Sequence, residues 1–504
     1  MANIERRAGA FFSYLYMAVQ MIVQLLYVPL LLSSIGQTEY GLYQLVGSVM
    51  SYVVSINGVL SAGVGRYYCM YKVEKNQQQM ENTLAIAKRL YWLLSALSVL
   101  AIAALIVIVK SVYASSFSKT ELDECSWMLV VMGLNTIVTM NNTINIAAIT
   151  ANERFVFLKV TQTIALVVQP VLILLLVHIW PNALVVTLVI FAMNAACALV
   201  QRRYAHNVLK ISYTFHGWDK VLAKGLLTFS IAIVLVTLAD QIFWKTDQLI
   251  IGYFLGPAAV AVYAIGSQIY TVYMLIGTAM TSVFLPRVSE LFHAQGDMRG
   301  ISELFTKVGR ISFLVCGLVL GGFIILGQDF IYLWAGNGYS ESYWVAVIVM
   351  VPFTIDLIQN LGLTILQVAD KYYFRGFMYF GIAIINVAAT IILLKVFGLK
   401  GAALSTAGAM VVGNGLIMNW YYGKIIGLDI VYFWKEIWKL LVPAITATIF
   451  FAAAWMAIPI LHGGWLSFLI SGGIFILLYC LAQWLFGMNL YEKSLVKSIL
   501  HAAQ

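Results

Sequence analysis

The sequence predicts an all-α integral membrane protein: about fourteen transmembrane helices, forming two parallel six-helix lobes around a central cavity plus two C-terminal helices. Three observations predict this fold. The 504 residues are 62% hydrophobic and only 10% charged, with a mean hydropathy of +0.90, whereas a soluble domain carries roughly 25% charged residues. Many apolar stretches approach the ~20 residues that cross a bilayer. The first part of the chain also recurs, weakly but in register, about 220 residues later.

In chain order the spans fall at about 10–33, 42–64, 90–109, 126–149, 161–179, 184–201, 228–250, 259–284, 311–327, 342–367, 377–395, 402–422, 441–460 and 465–487. The first is read as a span and not as a cleaved signal peptide. It is too long, lacks a small-x-small exit and runs into Ser33 and Ser34. The 13 Trp and 28 Tyr suit a chain that meets many membrane interfaces. External loops are short, and even the stretch from Lys110 to Cys125 has no room for a soluble active site. Between the sixth and seventh spans, Arg202 to Leu227 is the most polar stretch in mid-chain. Within it, Trp218-Asp219-Lys220 reads as a short interfacial helix or a solvated linker. Trp434-Lys435-Glu436, before the thirteenth span, reads as a second interfacial helix.

The net charge of +9 reports topology, not nucleic-acid binding. Of the 30 basic residues, 25 lie at the N-terminus and in every second loop after it, from Arg6 and Arg7 to Lys493 and Lys497. Lys110, Lys119, Lys395 and Lys400 occupy the intervening loops, and Lys245 lies within a helix. This asymmetry predicts an even number of helices with both termini in the cytoplasm. The five cysteines show no CxxC and no metal spacing, so they read as free thiols packed as small hydrophobes.

The repeat gives the organisation. Ile35-Gly36 and Tyr43 recur as Leu255-Gly256 and Tyr263; Arg66 answers to Arg287; Lys88-Arg89 answers to Arg310; Thr136-Ile137 and Asn142 recur as Thr354-Ile355 and Asn360. Six spans per copy make the copies parallel, related by an axis along the membrane normal. The expected divisions are an N-lobe at 1–210, a C-lobe at 211–425 and two further helices at 426–504.

Ionisable groups at membrane depth cost about 2.5–3.5 kcal/mol each on insertion scales, so they face a cavity or a partner. The seventh span has three, Asp240, Lys245 and Asp247. At about 100° per residue, Ser230, Thr237, Asp240, Gln241, Trp244, Asp247 and Gln248 share one face, with Lys245 at its edge. In the first span Ser13, Tyr16, Gln20, Gln24 and Tyr27 share the equivalent face. Both stripes read as lining the cavity, or as interhelical hydrogen-bond contacts. In the tenth span Asp356, Gln359, Asn360 and Gln367 form a further polar set, matched by Asn141, Asn142 and Asn145 in the fourth. Asp356 reads as a cavity or proton-coupling acid, or as a buried acid bonded between helices. Arg66 and Arg287 read as topology anchors or as guanidinium groups that meet an anionic headgroup.

Catalytic signatures are lacking. There is no Walker GxxxxGK[ST], GxSxG or HExxH, and the six histidines do not cluster. No enzyme activity, metal or cofactor is expected.

The run Ile35-Gly36-Gln37-Thr38-Glu39-Tyr40-Gly41-Leu42-Tyr43 has a loose counterpart in Thr246-Asp247-Gln248-Leu249-Ile250-Ile251-Gly252-Tyr253-Phe254-Leu255-Gly256 leading to Tyr263. Together with Leu285-Pro286-Arg287-Val288-Ser289 and Ala369-Asp370-Lys371, it resembles the polysaccharide-transporter branch of the multidrug/oligosaccharidyl-lipid/polysaccharide exporter superfamily. These are the lipid-linked oligosaccharide flippases of O-antigen, capsule and exopolysaccharide pathways. The resemblance spans essentially the whole chain, including the twelve-plus-two layout. It implies two lobes around a cavity and a multi-pass protein of the bacterial cytoplasmic membrane. It further implies alternating access that carries an undecaprenyl-diphosphate-linked glycan from the cytoplasmic to the outer leaflet. Cavity cations neutralise the diphosphate while the tail stays in lipid. Related peptidoglycan-precursor flippases carry several arginines on the first two helices; this first span has none after Arg7, which counts against that substrate.

The leading reading is therefore a lipid-linked oligosaccharide flippase. Lys245, with Arg66 or Arg287, engages phosphate. Asp240 and Asp247 hold Lys245, or bind sugar hydroxyls with Gln20, Gln24 and Trp244. Proton or sodium coupling runs through Asp240, Asp247 or Asp356. The expected partners are the polyprenyl-diphosphate-linked glycan, membrane lipids, a glycan polymerase and glycosyltransferases, and no nucleic acid. A cation-coupled multidrug exporter and a non-transporting scaffold for glycan-assembly enzymes are the alternatives.

Overall fold

The computed structural model describes residues 2–279, 284–457 and 463–502. The ends of the eighth and thirteenth expected spans (280–283 and 458–460) and His462 lie outside the described residues, as do the side chains of Arg6, Arg7, Ser230 and His501. The described residues are almost all helical and contain no strand. Eleven of the described helices are long and apolar enough to cross a membrane. The expected count was about fourteen. Lys119–Ala151 is missing from the eleven because Asn135, Asn141, Asn142 and Asn145 lower its hydropathy. In Lys220–Leu255 the side chains of 227–236 lie outside the described residues, and the remainder carries Asp240, Lys245 and Asp247. The first two expected spans, 10–33 and 42–64, are counted together because only a kink at Gly36 separates their helices.

That run is α1 (Ala2–Val73), 72 residues interrupted only at Gly36, where φ is 82° and ψ is 173°. At about 1.5 Å per residue an unbroken helix of this length would reach about 108 Å, several bilayers. The kink is therefore the fold's way of returning the chain across the membrane. Gly256 adopts the same backbone, φ 81° and ψ 178°, between α6 (Lys220–Leu255) and α7 (Pro257–Ala279). An L side chain is strained at these angles, so glycine at both repeat-equivalent positions has a backbone reason.

The described chain falls into two compact units, residues 1–261 and 262–504. The sequence repeat restarts near 211, but the first compact unit runs on to 261 because α6 packs along α1. This unit also contains α2 (Gln77–Val112), α3 (Lys119–Ala151), α4 (Phe155–Ile179) and α5 (Ala183–Asn207). Two glycines let the helices approach: a Cβ on Gly41 would sit 1.8 Å from the carbonyl oxygen of Pro257, and one on Gly252 would sit 2.3 Å from Leu45.

The polar joint between α5 and α6 is not an interfacial helix. Residues 210–219 form an extended strap. Its side chains are held one by one: Ile211 is buried, Tyr213 OH donates to Asn145 Oδ1, the His216 N–H donates to Asn82 Oδ1 at 3.1 Å, and the Arg89 guanidinium lies 3.2 Å from the centre of the Phe215 ring. Asp219 then starts α6 by accepting from the backbone of Val221 and Leu222 at 2.9 and 3.0 Å.

In the second unit, α8 (Leu285–Ser289) leads to α9 (Met298–Ala335), the helix on which the rest converges. The tenth expected span is two helices, α10 (Ser340–Ile358) and α11 (Leu361–Val368), broken at Gln359-Asn360. After α12 (Tyr372–Phe397) and α13 (Leu399–Met410), the chain winds through two π-helical stretches, Val411–Ile417 and Tyr422–Ile426, either side of α14 (Met418–Tyr421). The break and the wider turns meet: Gln359 Nε2 donates to Asn419 Oδ1 at 2.8 Å. The second expected interfacial helix is likewise absent. Trp434 lies inside continuous α15 (Ile430–Ala457), its indole N–H given to Asn419 Oδ1 at 2.9 Å. The unit ends in α16 (Gly464–Ala482) and the amphipathic α17 (Leu490–Ala502).

Candidate functional site

The polar face of α6 is the best-defined candidate. Its C-terminal half lies against the part of α1 beyond Gly36. Tyr52 OH is 2.7 Å from Thr246 Oγ1, Ser48 Oγ donates to Gln248 Oε1, and Tyr113 OH of the α2 cap donates to the Leu249 carbonyl at 2.9 Å. Asp247 and Gln248 are each only 2% exposed. One turn earlier, Asp240, Gln241 and Trp244 are half-buried. The α6 face thus has two parts, an inner anchor to α1 and a more accessible polar stretch.

Lys245 is half-buried and makes no ion pair among the described residues. The expectation that Asp247 holds it fails on helix geometry. Two residues apart is about 200° of rotation, so the side chains leave opposite sides of α6. Asp240 is separated from it by about 140° by the same reckoning. Lys245 is a cation set at depth among apolar groups, with no carboxylate on its own helix face.

On the first span, Gln20 and Gln24 are half-buried and make no hydrogen bond among the described residues. Tyr27 OH is buried with no hydrogen-bond partner among the described residues, in the neighbourhood of Tyr40 and Tyr43. Gln20 and Gln24 thus remain available, while Tyr27 packs inward.

The other expected residues divide by surroundings. Asn142 is buried in a chain of amides: its Nδ2 donates to Gln201 Oε1 at 2.6 Å, and its Oδ1 accepts from Asn145 at 3.0 Å. With Tyr213 closing that chain, Asn142 ties α3 to α5 and the strap. Asn360 sits at the α10–α11 break. Asp356, half-buried on the last turn of α10, shares an environment with Arg375, Tyr379 and Tyr422. The Arg375 guanidinium lies 4.4 Å from the Tyr379 ring centre. Arg66 is exposed. Arg287 is half-exposed and paired with Glu290 at 2.7 Å, one turn along the chain.

Two charged clusters were not foreseen. Arg310, expected among the loop cations that set topology, is 2% exposed inside the second unit. Its Nε and Nη2 meet the two Glu492 oxygens at 2.6 and 2.8 Å, and Nη1 reaches Glu436 Oε2 at 3.1 Å. In the first unit, Glu39 and Glu124 are hydrogen-bonded side chain to side chain, and Glu39 Oε2 accepts from the Ala183 N–H at the start of α5 at 2.8 Å. Glu124 precedes the expected span at 126–149; burial first, and then the neighbouring Glu39, push its carboxyl up to about 7. Spacings of 85 and 182 residues left no local pattern to reveal either cluster.

Long apolar helices, ionisable groups at membrane depth, helices broken where polar groups meet and paired glycine kinks define a multi-pass membrane protein of transporter type. Residues 31–344, more than half the chain, match the family described as "Polysaccharide biosynthesis protein", and the chain belongs to that family. It is 22% identical over 178 residues to "Probable flippase AglR" of Haloferax volcanii, covering 34% of this chain and 37% of that protein. It is 21% identical over 233 residues to "Putative O-antigen transporter" of Shigella flexneri, covering 45% and 53%. The matches thus span about a third to a half of these relatives. Among solved structures, "Lipid II flippase MurJ, inward closed conformation" matches 97% of this chain and 100% of that one, with a TM-score of 0.77 and 13% identity. An inward-facing multidrug resistance MATE family transporter matches 82% of this chain and 96% of its own, with a TM-score of 0.68 and 13% identity. At such identities the likeness is one of fold.

Proposed function

We propose that the protein is a flippase that carries an undecaprenyl-diphosphate-linked oligosaccharide from the cytoplasmic to the outer leaflet of the bacterial cytoplasmic membrane by alternating access, for surface polysaccharide synthesis. The observation that carries this reading is Lys245: a half-buried cation on a polar helix face, with no ion pair among the described residues. A charge left in that setting is costly unless an anion visits it, and a lipid diphosphate is such an anion. Asp240, Gln241 and Trp244 on α6, with Gln20 and Gln24 on the first span, supply hydrogen-bonding groups and an aromatic face suited to sugar rings. Gln248, bonded to Ser48 of α1, and the buried Asp247 position the helix instead of meeting substrate. Arg66 receives the headgroup at the cytoplasmic end. Asp240, Asp247 and Asp356 are the acids through which proton or sodium coupling runs. Both termini are cytoplasmic on this reading, and glycosyltransferases and a polymerase act before and after the flip.

A cation-coupled multidrug exporter is the competing reading, supported by the MATE-like fold and the buried acids. The extent of the likeness favours the flippase. The match to the lipid II flippase takes in 97% of the chain and that to the MATE transporter 82%. Reconstitution decides between them. Proteoliposomes should translocate a fluorescent lipid-linked oligosaccharide, and Lys245→Ala should abolish this while inserting normally. Expulsion of cationic dyes on a pH gradient, with the lipid left in place, would establish the exporter instead.

A further inference from the structure

The second unit contains a slot that its own side chains do not fill. Between α9, α16 and α17 lies a cavity of about 300 Å³. Ile311, Leu314, Val315 and Leu318 form one wall, and Leu495 and Val496 of α17 face them. The slot is open on one side, as the exposed Cys480 on its lining shows, and its volume would hold about ten waters at roughly 30 Å³ each. Water needs two to four polar partners apiece. The lining's buried polar atoms are few: Tyr479 OH and Gln483 Oε1, whose side chains lie within hydrogen-bonding reach of each other. Glu492, also on the lining, is taken up by Arg310. The slot is therefore dry and suited to an aliphatic chain. It persists because Arg310 fixes α17 through Glu492 and through the Gly487 carbonyl at 2.9 Å, holding the amphipathic helix off the α9 surface.

Three lysines adjoin the lining residues along the chain. Lys307 lies one turn before Ile311 on α9, and Lys493 and Lys497 flank the lining residues of α17. None of the three makes an ion pair among the described residues. Lys307 stands 5.7 Å from the Tyr491 ring centre and Lys493 5.7 Å from that of Trp484, an aromatic–basic grouping of the kind that sits at headgroup level. We propose that this slot binds an anionic glycerophospholipid, one acyl chain lying between α9, α16 and α17 and the phosphate received by Lys307 and Lys493. At roughly 30 Å³ for a methylene, close to the share of a water, the slot takes about ten carbons, the greater part of one acyl chain and only a small part of a polyprenyl tail. The inference concerns a resident lipid and does not depend on what the protein transports.

Cys480 lines the slot and makes the proposal measurable. The full-length protein is placed in nanodiscs of phosphatidylethanolamine alone or with added phosphatidylglycerol. Modification by a neutral maleimide is followed by peptide mass spectrometry at Cys480, with exposed Cys69 as the internal reference. Phosphatidylglycerol should slow Cys480 several-fold and leave Cys69 unchanged. Lys307→Gln with Lys493→Gln, the first exposed and the second half-buried, should remove the preference for the anionic lipid. Val315→Trp, which fills the slot, should give slow labelling in either membrane. Equal Cys480 rates in both membranes for the unaltered protein would overturn the proposal. So would protection by polyprenyl phosphate and not by phosphatidylglycerol, or full retention of the lipid effect in the double lysine variant.

Discussion

Replacing Arg310 by Met should release the C-terminal helix, and the size of the effect follows from the contacts. The guanidinium is 2% exposed and joins three elements: Glu492 of α17 at 2.6 and 2.8 Å, Glu436 of α15 at 2.7 Å to its carbonyl and 3.1 Å to its carboxylate, and the Gly487 carbonyl at 2.9 Å. Methionine fills the space but leaves Glu492, 3% exposed, as a buried charge without its partner. Removing one member of a buried pair costs about 3–5 kcal/mol. Glu436 is less affected because Lys439 remains beside it. At about 1.4 kcal/mol per factor of ten, the docked-to-released ratio of α17 falls between about a hundredfold and a few thousandfold. Hydrogen exchange of the α17 backbone in detergent or nanodiscs reads this ratio directly. Arg310→Met with Glu492→Leu should restore most of the protection, since removing both charges leaves none uncompensated. The reasoning is refuted if α17 exchanges at the original rate in Arg310→Met, or if the double variant is no better protected than the single one.

Three further predictions follow from other parts of the molecule. Gly41→Ala forces a methyl to within 1.8 Å of the Pro257 carbonyl; it should lower stability by about 1–3 kcal/mol, measured by thermal unfolding, whereas Gly47→Ala, with nothing near its Cβ, should be tolerated. Glu124, raised to about 7 from 4.5, binds a proton more tightly when folded than unfolded. Its contribution is therefore complete below about 4.5 and lost as pH rises through about 7, so melting temperature should fall over that window and Glu124→Gln should flatten the fall. Asn142→Ala leaves Gln201 and Asn145 without a shared partner in a buried chain and should cost about 1–3 kcal/mol, without the loss of substrate dependence expected at Lys245.

Much of the fold was legible because a bilayer constrains sequence so strongly. Apolar length marked the helices, and the repeat marked Gly36 and Gly256, whose matching backbone angles give that similarity a physical meaning. The two helices of α1 were legible as separate spans, but the sequence did not show that a single kinked residue, Gly36, joins them in place of a loop. Trp218 and Trp434 misled for a common reason: aromatic and basic residues together suggest a membrane surface, but the strap is held by specific hydrogen bonds and Trp434 by Asn419. Within the candidate site, the face on α6 was readable from helical period. Its division was not, because which part meets Ser48 and Tyr52 depends on packing against α1. Arg310 shows the limit most clearly. Counted as a loop cation, it is buried by partners 126 and 182 residues away.

The central claim is that this protein moves a lipid-linked glycan and that Lys245 receives its anionic headgroup. The most direct measurement is the translocation rate of a fluorescent polyprenyl-diphosphate oligosaccharide in proteoliposomes, compared for the unaltered protein, Lys245→Arg and Lys245→Ala. The account predicts rapid flipping by the first, retained activity in the second and loss in the third, with all three inserting equally. Flipping by Lys245→Ala at the unaltered rate, or none by any of them, would contradict it.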